Sequence, residues 1–445
     1  MAPPRSFAWN DLIGEKGNCA SSLSSETTPI ATGNDSTMKY KNIIILTSDL
    51  YRGGVSYSSG RLAELLAKKG ATVEIVTYEN LPIRQNVENV KRVTSLNCPY
   101  SRTSHRSKLK QAYVRTFRFP AILLAARRFA RFVKSTFPTM GQADKPTVIA
   151  FTHAPVAAAV LSRYLFKADF HLIASERQDP KADLKSRALI KILATLYNNV
   201  DKVHVNSPGL VERLEQDVGV PRSSIALIPN IVQRATESTL SQTANGLRRA
   251  AEEKTINAVV IGRISPQKAI WQAPIILAEL KSRGFKVKLT VIGDGDPQPL
   301  EDLESSAAEH GIEDNIEIVG SIEDAKSTLH KYNLGLFLTN WESFGNVLGE
   351  FLAAGIITVA SDTQAGLVNY LEDGIHCIKA PVLERSDSNS AKTLSEVSSR
   401  LATIYSDINA ANTMRRHAIS KMIEFDQNSH ALRFIEEIER IGGEK

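Results

Sequence analysis

Short apolar runs, each closed by a polar or glycine-rich turn, recur along the first half of the chain at 42–47, 72–77, 147–151, 170–174 and 202–206. Those at 42–47 and 147–151 are continuous rather than alternating, which marks strands covered on both faces. Between the runs at 42–47 and 72–77 lies a helix-spaced stretch, 58–69, stopped by Gly70, so 42–77 reads as a strand, a helix and a second strand. Repetition of that unit predicts a parallel sheet and a first domain over 39–231. From 232 to 255 the chain turns polar, without a strand pattern, and reads as a linker region. A second series follows, with strands expected at 257–261, 286–292, 316–319, 334–338 and 357–360 and helices at 272–282 and 300–310. It predicts a second domain over 256–420, leaving 421–445 as a C-terminal helix expected to pack back on the first domain. The α/β class therefore takes the form of two Rossmann-like doubly wound domains facing a central cleft at the carboxyl ends of their sheets.

Composition agrees: 445 residues, 42% hydrophobic and 23% charged, suit two globular domains and exclude a mainly disordered or fibrous chain. Residues 1–38 are Ser-, Thr-, Gly- and Asn-rich, lack the apolar core of a signal peptide and read as a disordered prefix, with Met38 an alternative start to Met1. The longest purely apolar run, 121–126, is far short of the ~20 residues that span a bilayer. Cys19, Cys98 and Cys377 fall at no metal-ligand spacing and are odd in number, which argues against a disulfide framework or a zinc site and fits a reducing cytoplasm. The net charge of +6 conceals an asymmetry. Residues 255–445 hold 18 Lys and Arg against 27 Asp and Glu, which leaves 36 against 21 in the first 254. No acid occurs from Asn89 to Ala143, and the stretch 101–134 is strongly basic, so an anionic partner is expected for the first half.

The chemistry concentrates after the run at 334–338, in the segment TNWESFGNVLGEFLAAG (339–355). Glu342 falls in a loop, Gly345 opens a helix, and Glu350 lies among Val347, Leu348, Phe351 and Leu352. A carboxylate on so apolar a helix needs a partner. A ribose diol supplies two hydroxyl donors, while the amides of Gly345, Asn346 and Val347 suit phosphate oxygens at a helix N-terminus. Taken with the strand before it and the strand after it, this segment resembles the sugar-nucleotide signature of retaining glycosyltransferases of family 4, which have the GT-B fold.

Other segments share the resemblance. GRISPQK (262–268) is similar to the family's phosphate loop, which implies that Arg263 and Lys268 hold the donor diphosphate, where cations stabilise charge developing on the leaving group. Turns at Gly293 and Ile322 stand where the family reads the base. Gly53 and Gly54 resemble its Gly-Gly loop, which brings backbone amides to the diphosphate across the cleft. His153 resembles its cleft histidine beside the donor sugar. The segment SERQDP (175–180) looks like a motif of members that build surface polysaccharides or lipid-linked oligosaccharides, often from N-acetylhexosamine donors, and makes Glu176 and Arg177 acceptor or cleft candidates; a helix-start box with an internal Glu-Arg ion pair is the alternative. The chain departs from the pattern at Ala269, Ile356, Ile357 and Asn369, and Gly349 sits mid-helix, at a typical cost of ~1 kcal/mol.

The resemblance implies catalytic roles for His153, Arg263, Lys268 and Glu342. It implies donor contacts from Gly53, Gly54, Gly293, Ile322, Ser343, Phe344, Gly345, Asn346, Val347 and Glu350. No metal and no cofactor are expected beyond a nucleotide-sugar co-substrate, with a UDP-sugar favoured. The expected partners are a glycan or polyprenyl-linked acceptor and, through 101–134, an anionic membrane surface on its cytoplasmic face; no nucleic acid is expected. Interleaved apolar and basic residues from 113 to 137 suggest a helix lying in the headgroup region, against a plain domain helix with solvated cations. Two other readings stand beside the transferase: a sugar-nucleotide epimerase or phosphorylase on the same fold, and a basic membrane- or nucleic-acid-binding protein without catalysis.

Overall fold

The computed structural model describes residues 39–443 except 52, 84–86, 99–117, 139–143 and 185. The expected prefix 1–38 and the basic residues 101–117 lie outside the described residues. Among the described residues, the first sheet has seven strands: β1 (Asn42–Thr47), β2 (Thr72–Thr77), β3 (Arg92–Ser95), β4 (Thr147–Phe151), β5 (His171–Ser175), β6 (Lys202–Val205) and β7 (Ile225–Leu227). The second has six: β8 (Thr255–Ile261), β9 (Lys286–Ile292), β10 (Ile316–Gly320), β11 (Leu334–Phe337), β12 (Ile357–Ser361) and β13 (Ile378–Ala380). Their spatial orders are β3-β2-β1-β4-β5-β6-β7 and β10-β9-β8-β11-β12-β13, with neighbours parallel, as expected for two doubly wound domains. The order reverses between β1 and β4 and between β8 and β11, the positions where open α/β sheets receive ligands.

Continuous apolar runs have a simple cause in β1. Ile43 and Ile45 face a cluster with Leu62 and Leu66 of the helix Gly54–Lys68, whereas Ile44 and Leu46 face Phe129 and Val133 on the opposite side. Both faces are covered, so no polar alternation survives. The strands β3, β7 and β13 were not expected: Arg92–Ser95 and Ile378–Ala380 have a polar residue next to every apolar one, and Ile225–Leu227 is only three residues long.

Two segments differ from expectation, and the C-terminal helix agrees with it. The polar stretch 232–255 holds a helix, Glu237–Glu253, capped by Thr236 and burying only Thr243, Leu247 and Ala250. So narrow a buried stripe on a polar helix reads as linker in one dimension. The basic stretch forms the helix Arg118–Thr136 straight through Pro120, which lies in the first turn, where its missing amide costs nothing. Phe129 and Val133, expected to enter the headgroup region, are instead core residues, exposed by no more than 2%. The chain's last helix, Gln427–Gly443, sets Phe434, Ile438 and Ile441 against Ile43 and Ile45 of the first domain, and the Tyr40 hydroxyl donates to the Gly442 carbonyl. Between the domains, Gly209 lies so close to the backbone of Gln364 that a Cβ would stand 1.8 Å from its carbonyl oxygen.

Candidate functional site

The loops at the carboxyl ends of β8 and β11 converge. Gln267 accepts from the Asn340 amide at 2.9 Å through its carbonyl and donates from Nε2 to the Trp341 carbonyl at 2.6 Å. This clamp brings together two residues 74 apart in sequence: Lys268 Nζ is 2.7 Å from Glu342 Oε2, each side chain 19% exposed. Lys268 also lies over the Phe337 ring, 4.6 Å from its centroid, a cation–π contact that fixes the ammonium further. Arg263, on the same loop, is exposed and has no carboxylate within ion-pair distance among the described residues.

Gly345 starts the helix Asn346–Ala353 at φ 87°, and a Cβ there would lie 2.6 Å from the Phe337 ring, so both conformation and space require glycine. Among the described residues no side chain caps this helix, so its N-terminal amides remain available to an anion. Ser343 and Val347 are half-buried beside it. Phe344, expected among the donor contacts, has its ring 1% exposed in a cluster with Phe337, Leu348 and Phe425, so only its backbone can reach a ligand. Gly349 pays its helix cost for packing: a Cβ would stand 2.8 Å from Val232.

Glu350 has a partner that sequence reasoning missed. Lys326 Nζ stands 2.9 Å from Oε1, and that ammonium also sits 4.7 Å over the ring of Tyr57 in the first domain. Burial pushes the Glu350 carboxyl above its ordinary pKa, and Lys326 pulls it part of the way back. Nearby, Gly293, at φ 152°, packs on Gly262 so tightly that a Cβ would be 1.9 Å from the Gly262 carbonyl oxygen. Ile322, half-buried, joins a cluster with Ile261 and Val347.

Across the cleft, Gly53 at φ 106° turns the chain into a helix beginning at Gly54, whose Cβ, if present, would lie 3.4 Å from Asn346 Nδ2. Asn230 Nδ2 donates to Asn346 Oδ1 at 2.9 Å. His153 opens the helix His153–Phe166 after Thr152, a non-glycine at φ 68°, a strained conformation of the kind that gathers at functional sites. Its Nε2 is 2.7 Å from Glu176 Oε2, and its Nδ1 faces Asp183 Oδ2 at 3.8 Å.

Glu176 and Arg177, expected in the cleft or at an acceptor, are buried beneath it, at 0% and 6% exposure. Among the described residues they form no direct side-chain ion pair. Arg177 instead donates to Ser175 Oγ at 2.9 Å and to Asn230, and its guanidinium lies 5.0 Å over the Phe151 ring. Burial draws the Arg177 pKa down to about 9 against the pull of Glu176. The sequence gives no local sign of Lys326, Tyr57 or Asn230, whose partners lie in other elements of the chain.

Residues 53–231 match the family described as glycosyl transferase 4-like domain, and residues 255–400 the family described as glycosyl transferases group 1. Over 178 residues, 40% of this chain, the sequence is 26% identical to the phosphatidylinositol N-acetylglucosaminyltransferase GPI3 subunit of Saccharomyces cerevisiae, and the match spans 38% of that protein's length. HepE of Anabaena, solved in complex with UDP, superposes with a TM-score of 0.67 at 15% identity, over 89% of this chain and 99% of that one. Sucrose-phosphate synthase of Thermosynechococcus elongatus does so at 0.67 and 18%, over 90% and 98%. At these identities the likeness to solved structures is one of fold.

Proposed function

We propose a reaction from the premise that the chain belongs to the family-4 glycosyltransferases and has their GT-B fold. It is a retaining transferase that moves a sugar, an N-acetylhexosamine, from UDP to a hydroxyl of a lipid-linked or polysaccharide acceptor. The observation that carries the reading is the Lys268–Glu342 pair beside the uncapped end of the helix Asn346–Ala353, opposite the first-domain loop that bears Gly54. The name of the yeast relative, an N-acetylglucosaminyltransferase acting on a phosphatidylinositol, supports the sugar and a lipid-linked acceptor, and the UDP in HepE supports the base.

In this reading Arg263, Lys268 and the amides at Gly345 to Val347 stabilise the diphosphate as the glycosidic bond breaks, Glu342 holds sugar hydroxyls and Glu350 the ribose. His153 meets the sugar from the opposite domain. Substitution proceeds on the front face: the leaving phosphate oxygen takes the acceptor proton, and the protein contributes positioning and charge. Cations and amides do the work of a metal, so a chelator leaves the rate unchanged; loss of activity restored by manganese overturns that part. The decisive experiment incubates the protein with UDP-N-acetylglucosamine and polyprenyl-phosphate-linked or phosphatidylinositol acceptors and measures UDP release and the anomeric configuration of the product. An inverted product refutes the retaining mechanism, and turnover of another sugar nucleotide alone refutes the donor.

Membrane association is electrostatic in this reading. Arg127, Arg131 and Lys134 are exposed on one face of the helix Arg118–Thr136 beside Leu124, whereas Arg128 is committed to the protein, donating to the carbonyls of Leu96 and Asn97 at 2.7 and 2.8 Å. Among the described residues no helix is long and apolar enough to cross a membrane.

A further inference from the structure

Both oxygens of the buried Glu176 carboxylate are fully engaged. Oε1 accepts from the amides of Arg177 and Gln178 at 2.7 and 2.9 Å; Oε2 accepts from the Tyr197 hydroxyl at 2.5 Å and lies 2.7 Å from His153 Nε2. Those four partners fill the lone-pair sites of a carboxylate, and with no exposed surface the group has nothing left for a substrate. A buried charge persists only where such donors have been arranged for it. Burial by itself raises the Glu176 pKa, but the charge and hydrogen bond of His153, the Tyr197 hydroxyl and the Arg177 amide hold it below the ordinary carboxylate value.

An ionised carboxylate only accepts hydrogen bonds, so the nitrogen facing it must carry the proton. The ring is thereby fixed in orientation as well as in tautomer, at the first position of its helix and with its side chain still 16% exposed. We propose that Glu176 is the positioning residue for His153: it holds the Nε2 proton and fixes the plane of the imidazole at the cleft, with Nδ1 facing Asp183 Oδ2 at 3.8 Å, and Tyr197 braces the carboxylate from behind. This deepens the transferase reading and rests on it for the identity of the sugar, while the geometry of the pair can be tested without turnover.

Glu176→Gln tests the arrangement, because an amide nitrogen turned toward Nε2 reverses the proton on the ring. With UDP-N-acetylglucosamine as donor, kcat is expected to fall ~100-fold while the Kd for UDP is unchanged, since the proposed nucleotide contacts lie on the second domain and at the Gly53–Gly54 loop, and none is made by the His153–Glu176 pair. In a His153→Ala background the same change is expected to cost nothing further. Equal losses in both backgrounds overturn the proposal, because they assign Glu176 an effect independent of His153. The ring nitrogen-15 shifts of the wild-type protein, assigned by their absence in His153→Asn, give a readout that needs neither the variant to fold nor the donor to be right. A persistent proton on Nε2 supports the proposal, and a ring averaging between tautomers overturns it. Failure to release UDP from any sugar nucleotide, with Nε2 protonated, counts against the transferase reading alone.

Discussion

The two walls of the cleft hold their charges in different ways. On the first-domain wall, His153 is tied to a carboxylate that is wholly buried and saturated by four partners. On the second-domain wall, Lys268 pairs with Glu342, and Lys326 with Glu350, through side chains that keep 17–36% of their surface exposed. A buried network resists rearrangement, whereas ion pairs open to water are worth little and exchange easily. The first wall is therefore built before a ligand arrives. The second consists of charges that neutralise one another, and in the proposed reaction a diphosphate and a ribose compete for them.

The largest effect that sharpens this contrast is expected at the exchanging pair. Lys268→Ala and Glu342→Ala should each reduce transfer ~100-fold or more, as loss of an electrostatic stabiliser does, while circular dichroism and melting stay near wild type. Near-normal kcat in either folded variant would remove the pair from the site. Next comes the backbone that carries it. Gly293→Ala places a methyl 1.9 Å from the Gly262 carbonyl oxygen at φ 152°, and urea unfolding should show a loss on the order of 2–3 kcal/mol.

The charge states offer two finer tests. Glu176 is depressed in the folded protein, so its contribution to stability is present above the ordinary value of 4.5 and is lost as pH falls through the lower folded value. Glu176→Gln should flatten that acid limb in thermal melts; an unchanged limb would deny the buried charge. Glu350 is raised, so UDP binding through its carboxylate should weaken as pH falls through that raised value. Lys326→Met, which removes the cation pulling the carboxyl down, should move the midpoint of that loss to higher pH in calorimetric titrations. The smallest effect on catalysis belongs to the outer surface: Arg127, Arg131 and Lys134 changed together to Glu should weaken binding to anionic vesicles yet leave transfer to a short soluble acceptor unchanged.

Legibility in the sequence followed the range of the interactions involved. The parallel sheets were readable because the long central strands carry unbroken apolar runs that cover both faces, Ile43 to Leu46 in β1 and Ala258 to Ile261 in β8. The segment 339–355 was readable because strand, loop glutamate, glycine and helix glutamate follow one another locally. The helix Glu237–Glu253 was not, because its three buried positions gain meaning only against the domain they touch. Nor were the roles of Phe344 and Glu176, whose residue types fit a ligand contact and a buried position equally well.

By itself the sequence determined the two doubly wound domains, the loops that end their strands, and the family whose pattern those loops carry, since backbone periodicity and local spacing suffice for each. Only the tertiary structure decided which charges meet. Lys268 reaches Glu342 across 74 residues and Asn230 reaches Asn346 across 116. His153 and Glu176 become a pair because β4 and β5 lie side by side and end at the same height, Phe151 opposite Ser175. Electrostatic partnership depends on distance and dielectric, and folding sets both.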